Sequence, residues 1–139
     1  MNKEDIIKHI TDILDDSKIG VLSTSLNDIP NARYMWFYND GLTLIAKTND
    51  QSHKFEELQH NPHVHILLGF DDTKNHAFVE YQGTAKLIHD KEQVREIWEP
   101  EDDDFFDNPD NPDIAILKIT PTHIKIMNDK FEGKEISLD

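Results

Sequence analysis

RYMWFYNDGLTLIAKTNDQSHK, residues 33–54, predicts two strands joined by a tight turn, then a polar loop that opens a helix. Strand-forming residues dominate 34–38 and 42–46, and Asn39-Asp40-Gly41 between them is a strong hairpin signal. A cation, Arg33, stands at the start of this unit, and two more, Lys47 and Lys54, stand near its end. Between the last two lie Thr48, Ser52 and His53, all able to donate hydrogen bonds. Cations, hydroxyls and a helix N-terminus brought together suit a phosphate group. A solvated hairpin leading into a capped helix fits the same residues, and composition alone leaves both readings open.

The flanking chain supplies a core for this unit. Residues 2–17 carry Ile6, Ile7, Ile10, Ile13 and Leu14 at helical spacing, with Asn2 as N-cap and Asp5 as the reciprocal partner of a capping pair. IGVLSTS begins a first strand after that helix, and 31–39 returns as a second strand that pairs with a third, 42–47. Residues 52–60 form a short helix with Phe55 and Leu58 inward, stopped by Asn61-Pro62. HVHILLGF (63–70) is a fourth strand with Val64, Ile66, Leu68 and Phe70 on one face. A long fifth strand covers 76–88, and Gly83 within it marks a bulge or a close approach. Asp90 caps a helix that runs to about Trp98. The stretch 99–113 is acidic and proline-punctuated, and reads as a solvated loop. Two strands around Thr120-Pro121 close the chain, and a polar tail, 129–139, is expected to fray. The sum is one mainly β (α+β) domain, 1–139: a barrel or sandwich of short strands with two or three peripheral helices.

Composition excludes several function classes. The formal net charge of −14 repels nucleic-acid backbones and anionic membranes. An anionic ligand must therefore be held by a local group of cations. The chain has no cysteine, which removes disulfides, thiolate catalysis and cysteine zinc sites. No apolar run reaches the ~18 residues of a membrane span, and the N-terminus is no signal peptide, so a soluble cytoplasmic protein is expected.

Familiar catalytic patterns are missing as well. There is no Gly-x-Ser-x-Gly elbow, no GxGxxG and no phosphate-binding P-loop. His63 and His65 share a strand face, but two histidines fall short of a metal site, and none is assigned. The acidic run lacks the glycine and closing glutamate of a calcium loop. The Arg33–Lys54 unit remains, with Met35 and Trp36 on the Arg33 strand able to bring backbone or apolar contacts to a flat ring.

Several segments together resemble the pyridoxamine 5′-phosphate oxidase-like, FMN-binding split-barrel superfamily, and within it the general stress protein 26 branch. They are Pro30-x-x-Arg33-x-Met35, Thr48-x-x-x-Ser52-x-Lys54, LQHNPHVHILL, Gly83-Thr84-Ala85 and FFDNPDNPDIAILKITP, in that order. The resemblance covers roughly residues 5–128. It implies a six- or seven-stranded split β-barrel that forms a homodimer, with FMN in grooves between subunits and a flavin-dependent oxidoreductase activity. By position, Arg33 and Lys54 would hold the FMN phosphate, and Thr48 and Ser52 would donate to it. Tyr34, Met35 and Trp36 would lie along the ring, and Lys47 stands where oxidase relatives often carry an aromatic residue. His53 replaces an arginine usual in the oxidases, which implies weaker, pH-sensitive phosphate binding. Met127 stands where stress-protein relatives commonly carry tryptophan, and no C-terminal arginine/histidine motif for pyridoxamine phosphate is present. Vitamin B6 oxidation is accordingly not expected. The alternatives are a non-catalytic flavin-binding or sequestering stress protein, and a split-barrel dimer that has lost FMN and takes another small ligand, or a metal through His63 and His65.

Overall fold

A computed structural model of the chain describes residues 2–49, 53–73, 76–106 and 108–138, without the side chains of His53, Lys54, Phe55 and Phe105. The elements in order are α1 (Lys3–Asp15), β1 (Ile19–Leu26), β2 (Ile29–Trp36), β3 (Tyr38–Asp40), β4 (Thr43–Asn49), α2 (His53–His60), β5 (His63–Leu68), β6 (Phe78–Ile88), α3 (Lys91–Glu96), a 3₁₀ turn (Pro100–Asp102), α4 (Asp103–Phe106), β7 (Ile114–Met127) and β8 (Glu135–Ser137). All strands join one antiparallel sheet in the order β2-β1-β5-β6-β7-β4-β3, with β8 added to β7. The sheet curls into a half-barrel around Leu22, Leu44, Ile66, Val79, Tyr81, Leu117, Ile119, Ile124 and Ile126, all buried. No helix among the described residues is long and apolar enough to cross a membrane.

Local sequence explains the helices. Asn2 accepts from the Asp5 amide at 2.9 Å while the Asp5 carboxylate reaches the Asn2 amide, so the capping pair forms as its spacing implies. Ile6, Ile10, Ile13 and Leu14 then seat α1 in the barrel core. Asp90 caps α3 through the Glu92 and Gln93 amides. The residues after α3 are more than a solvated loop. Val94, Ile97, Trp98 and Phe106 pack with Ile45, Ile114 and Ile116 into a second small core on the outer face of β4 and β7.

The strands differ from expectation in four places. The aromatic run 34–38 is not continuous: β2 stops at Trp36 and pairs with β1, and β3, which takes in Asn39 and Asp40, pairs with β4 across a turn at Gly41-Leu42. Phe37 ends the β1–β2 pairing: it is 1% exposed in the inward phase of Arg33 and Met35, and its amide donates to the Lys18 carbonyl in register with that ladder, after which Tyr38 begins β3. Phe70 leaves the buried face of β5 and is exposed, because Gly69 takes φ +120 just before it. Thr120-Pro121 does not split the last strand: β7 runs unbroken, and Pro121 lies opposite Gly83 where the register shifts. The residues after Asn128 do not simply fray, since β8 pairs with β7 and Ile136 is buried.

Gly83 is required by close approach. A Cβ there would stand 2.6 Å from the Thr120 carbonyl oxygen, which is backbone and has little room to give. Gly83→Ala should lower stability by ~1–3 kcal/mol, the usual cost of overpacking. Urea unfolding will check this, and an unchanged midpoint would show that the β6–β7 bulge relaxes without strain.

Candidate functional site

β2 forms one edge of the curled sheet, and β4 lies next to the other edge. The two approach without pairing, and the seam between them opens into a cavity of about 580 Å³. Pleating sorts the lining residues. Arg33 and Met35 stand opposite Leu22 and Gly20 on the inward face of β2, whereas Tyr34 and Trp36 belong to the outward face. On β4, Thr48 shares the inward phase with Leu44 and Ala46, and Lys47 faces outward. Ile19, Tyr38, Asn49, Asp102 and Phe106 complete the wall.

Six residues singled out from the sequence therefore meet in one place: Arg33, Tyr34, Met35, Trp36, Lys47 and Thr48. Ser52 lies outside the described residues. His53 and Lys54 begin α2, and their side chains lie outside the description. His63 and His65 are elsewhere, on β5, where His65 Nε2 lies 3.8 Å from Glu80 Oε2. Among the described residues no group of three or more side chains is placed to hold a metal ion.

Thr48 is buried, and its Oγ1 has no hydrogen-bond partner among the described residues. A hydroxyl left unsatisfied away from water costs about 1–3 kcal/mol, so such a group at a cavity wall is a place for a ligand acceptor. Arg33 is tied back instead. Its Nη1 donates to Thr24 Oγ1 at 2.9 Å and its Nη2 lies 3.7 Å from Glu57 Oε1 of α2.

Lys47 differs most from its sequence reading. Its ammonium forms an ion pair with Asp102 and donates to the Ile97 carbonyl, and it sits 4.8 Å from the centre of the Tyr38 ring. Both charged side chains are almost fully buried, at 3% and 5% exposure. Lys47 thus fixes the 97–106 segment as an outer wall, and its charge is met by the protein. In the sequence Asp102 belongs to an acidic run that suggests a solvated loop, and nothing local marks it as the partner of a distant lysine. Glu57 was missed too, although one signal existed: Thr24 is a polar residue in the inward phase of β1, beside Leu22, and a buried hydroxyl calls for a partner. Tyr38 is held protonated: burial first, then the negative charges of Glu99 and Asp102, push its phenol up to about 12.

A half-barrel of antiparallel strands with its cavity in the open seam defines a split β-barrel protein. The chain belongs to the pyridoxamine 5′-phosphate oxidase family, whose model matches residues 6–128. It is 42% identical over 129 residues to General stress protein 26 of Bacillus subtilis (strain 168), covering 92% of each chain. The crystal structure of the General Stress Protein 26 from Bacillus anthracis str. Sterne superposes with a TM-score of 0.85 at 28% identity, over 96% of this chain and 98% of that one. An FAD-binding protein from Mesorhizobium loti shares the fold at 16% identity, with a TM-score of 0.70 over 86% and 91% of the two chains.

Two outcomes follow for the wall. Lys47→Met leaves the buried Asp102 carboxylate without its counter-charge and should cost ~3–5 kcal/mol in urea unfolding, with most of the loss recovered in Lys47→Met/Asp102→Leu. A loss in the double variant equal to the sum of the losses in Lys47→Met and Asp102→Leu would show that the pair is not coupled. The Tyr38 phenol ionises less readily folded than unfolded, so its contribution to stability is complete below the ordinary tyrosine value of 10.0 and is lost as pH rises through about 12. Comparing alkaline unfolding of the native chain with Tyr38→Phe measures this, and identical profiles between those pH values would refute it.

Proposed function

We propose that this protein binds FMN in the β2–β4 seam as a homodimer and acts as a flavin-dependent oxidoreductase. The observation that carries the reading is the buried Thr48 hydroxyl, without a partner among the described residues, on a cavity that Arg33 also lines. A phosphate dianion supplies the acceptors that such a hydroxyl and a guanidinium fork require. The cavity volume falls within the ~300–1,000 Å³ range of small-molecule sites. The fold is also that of a protein named as FAD-binding.

In this reading Thr48 and Ser52 donate to the phosphate, and Arg33, Lys54 and His53 provide positive or proton-donating groups around it. Met35 and the backbone of Tyr34–Trp36 lie along the ring. Lys47 holds the far wall in place through Asp102. Bound FMN supplies hydride or electron transfer at its ring, which the protein orients and shields from water. Lys47 and Asp102 are buried in an ion pair with each other as part of the wall, and this favours a flavin carrier as the second reading.

The homodimer is supported by what the outer face leaves uncovered. Ile19, Tyr34, Leu67 and Phe70 are large, apolar and exposed, with Tyr34 at 79%. They line a shallow groove with Val21 and Phe78, and Ile19 and Tyr34 belong to the cavity as well. A second copy on this face removes apolar surface from water and walls the cavity in the same step.

FMN titration, followed by flavin fluorescence quenching, tests the cofactor, and sedimentation of the same samples tests the dimer. Lys54→Ala and Thr48→Val should each weaken FMN binding by ~1.5–3 kcal/mol, the range for hydrogen bonds to charged groups. No quenching at micromolar protein would overturn the flavin reading, and a monomer with bound FMN would overturn the shared site. Anaerobic bleaching of the bound flavin by NADH or NADPH separates the enzyme from the carrier.

A further inference from the structure

Glu57 lies behind the residues that line the site, where the resemblance assigns it nothing. It is buried on α2, with its side chain 9% exposed. Its Oε2 accepts from Thr24 Oγ1 at 2.7 Å, and its Oε1 accepts from Asn31 Nδ2 at 3.1 Å. Arg33 joins the network: Nη1 donates to Thr24 Oγ1 at 2.9 Å and to the Leu22 carbonyl at 3.4 Å, and Nη2 lies 3.7 Å from Glu57 Oε1. Thr24 has one hydroxyl proton. Donating it to Glu57 while accepting from Arg33 gives the chain Arg33, Thr24, Glu57 a single polarity, with the carboxylate at its negative end.

A guanidinium offers a phosphate its full value only when a two-donor edge is turned to the ligand. Here the Nη1–Nη2 side is turned to the protein, towards Thr24, Leu22 and Glu57. The 3.7 Å separation is an ionic contact and is longer than a formed hydrogen bond, so the fork is restrained without being saturated. We propose that Glu57 is a positioning residue that sets phosphate selectivity: it fixes the Arg33 guanidinium and partly neutralises it, so that the site takes a phosphorylated ligand with only a modest preference over its uncharged counterpart. This inference rests on the flavin reading above, with FMN and riboflavin as the charged and uncharged pair.

Placement supports the role. Glu57, Thr24 and Asn31 are not among the residues that line the cavity, whereas Arg33 is. The carboxylate therefore acts on a ligand through Arg33 and through space. Asn31 tunes it, because Asn31 Nδ2 and Arg33 Nη2 share the same oxygen, Oε1. Taking Asn31 away should tighten the hold of Glu57 on Arg33.

The test is the ratio of riboflavin to FMN dissociation constants, measured by fluorescence quenching on the full chain and on two variants. A purely structural Glu57 would change both affinities together and leave the ratio alone. Glu57→Gln keeps the size and an acceptor for Thr24 while removing the charge, and should raise the ratio at least ~5-fold through the lost repulsion at an effective dielectric near ~20. Asn31→Ala, at an exposed edge-strand position, should lower it. An unchanged or reduced ratio in Glu57→Gln overturns the proposal while the flavin reading stands. Should Glu57→Gln not fold, Asn31→Ala decides alone, and an unchanged ratio overturns the proposal. A native chain that quenches neither flavin overturns the flavin reading itself, and the role of Glu57 with it.

Discussion

The site depends on a single residue that carries the chain from one end of the sheet to the other. Phe37 is neither in β2 nor in β3, yet its ring is buried and its amide is held by the Lys18 carbonyl. Gly20 leaves the ring its space: a Cβ there would stand 3.2 Å from Phe37 and 2.7 Å from the Leu67 carbonyl. The Phe37–Lys18 bond is the last rung of the β1–β2 ladder, and from Tyr38 onward the chain belongs to the hairpin that pairs with β7. The strand that carries Arg33 thus faces the strand that carries Thr48 across a seam with no backbone hydrogen bonds to close it. Had Tyr34–Tyr38 continued as one strand into the hairpin, β2 and β4 would have paired, and the cavity would have been filled with a ladder.

Charge follows a similar logic of internal containment. A chain with 28 acidic and 14 basic side chains has little positive charge to spare. Two of its cations lie at this cavity, and each meets a carboxylate from another element: Arg33 is beside Glu57 of α2, and Lys47 is paired with Asp102 of the 3₁₀ turn. Buried ion pairs add little net stability relative to apolar packing, but they fix which partner an element selects. Here they select how α2 meets β1 and how the 97–106 segment meets β4. The cavity is walled by such choices at both ends.

What the sequence discloses is what short range decides. The capping pair of Asn2 and Asp5, the Asp90 cap and the irregularity at Gly83 can each be read from a few neighbouring residues, and each is present. The six cavity residues were legible for a different reason: they fall in two short segments, each with a recognisable spacing. What was not legible involves partners far apart in the chain. An aromatic run such as 34–38 has no punctuation at Phe37, because the cause of the break is a tertiary pocket. Pro121 looks like a strand breaker until Gly83 is known to lie opposite it. Asp102 and Glu57 look like solvated acids until Lys47 and Thr24 are brought to them.

β7 gives this architecture an order in time. It is the only described strand that joins the β3–β4 hairpin to the remainder of the sheet, because the order runs β6-β7-β4-β3. Residues 43–49 are made early and must wait for 114–119 before they have a neighbour on that side. During synthesis the first half of the chain can form β1–β2 and the hairpin as local units, but nothing yet sets the distance between them. Both walls of the seam are therefore encoded ahead of the strand that places them, and a nascent chain acquires its pocket only as its final third emerges.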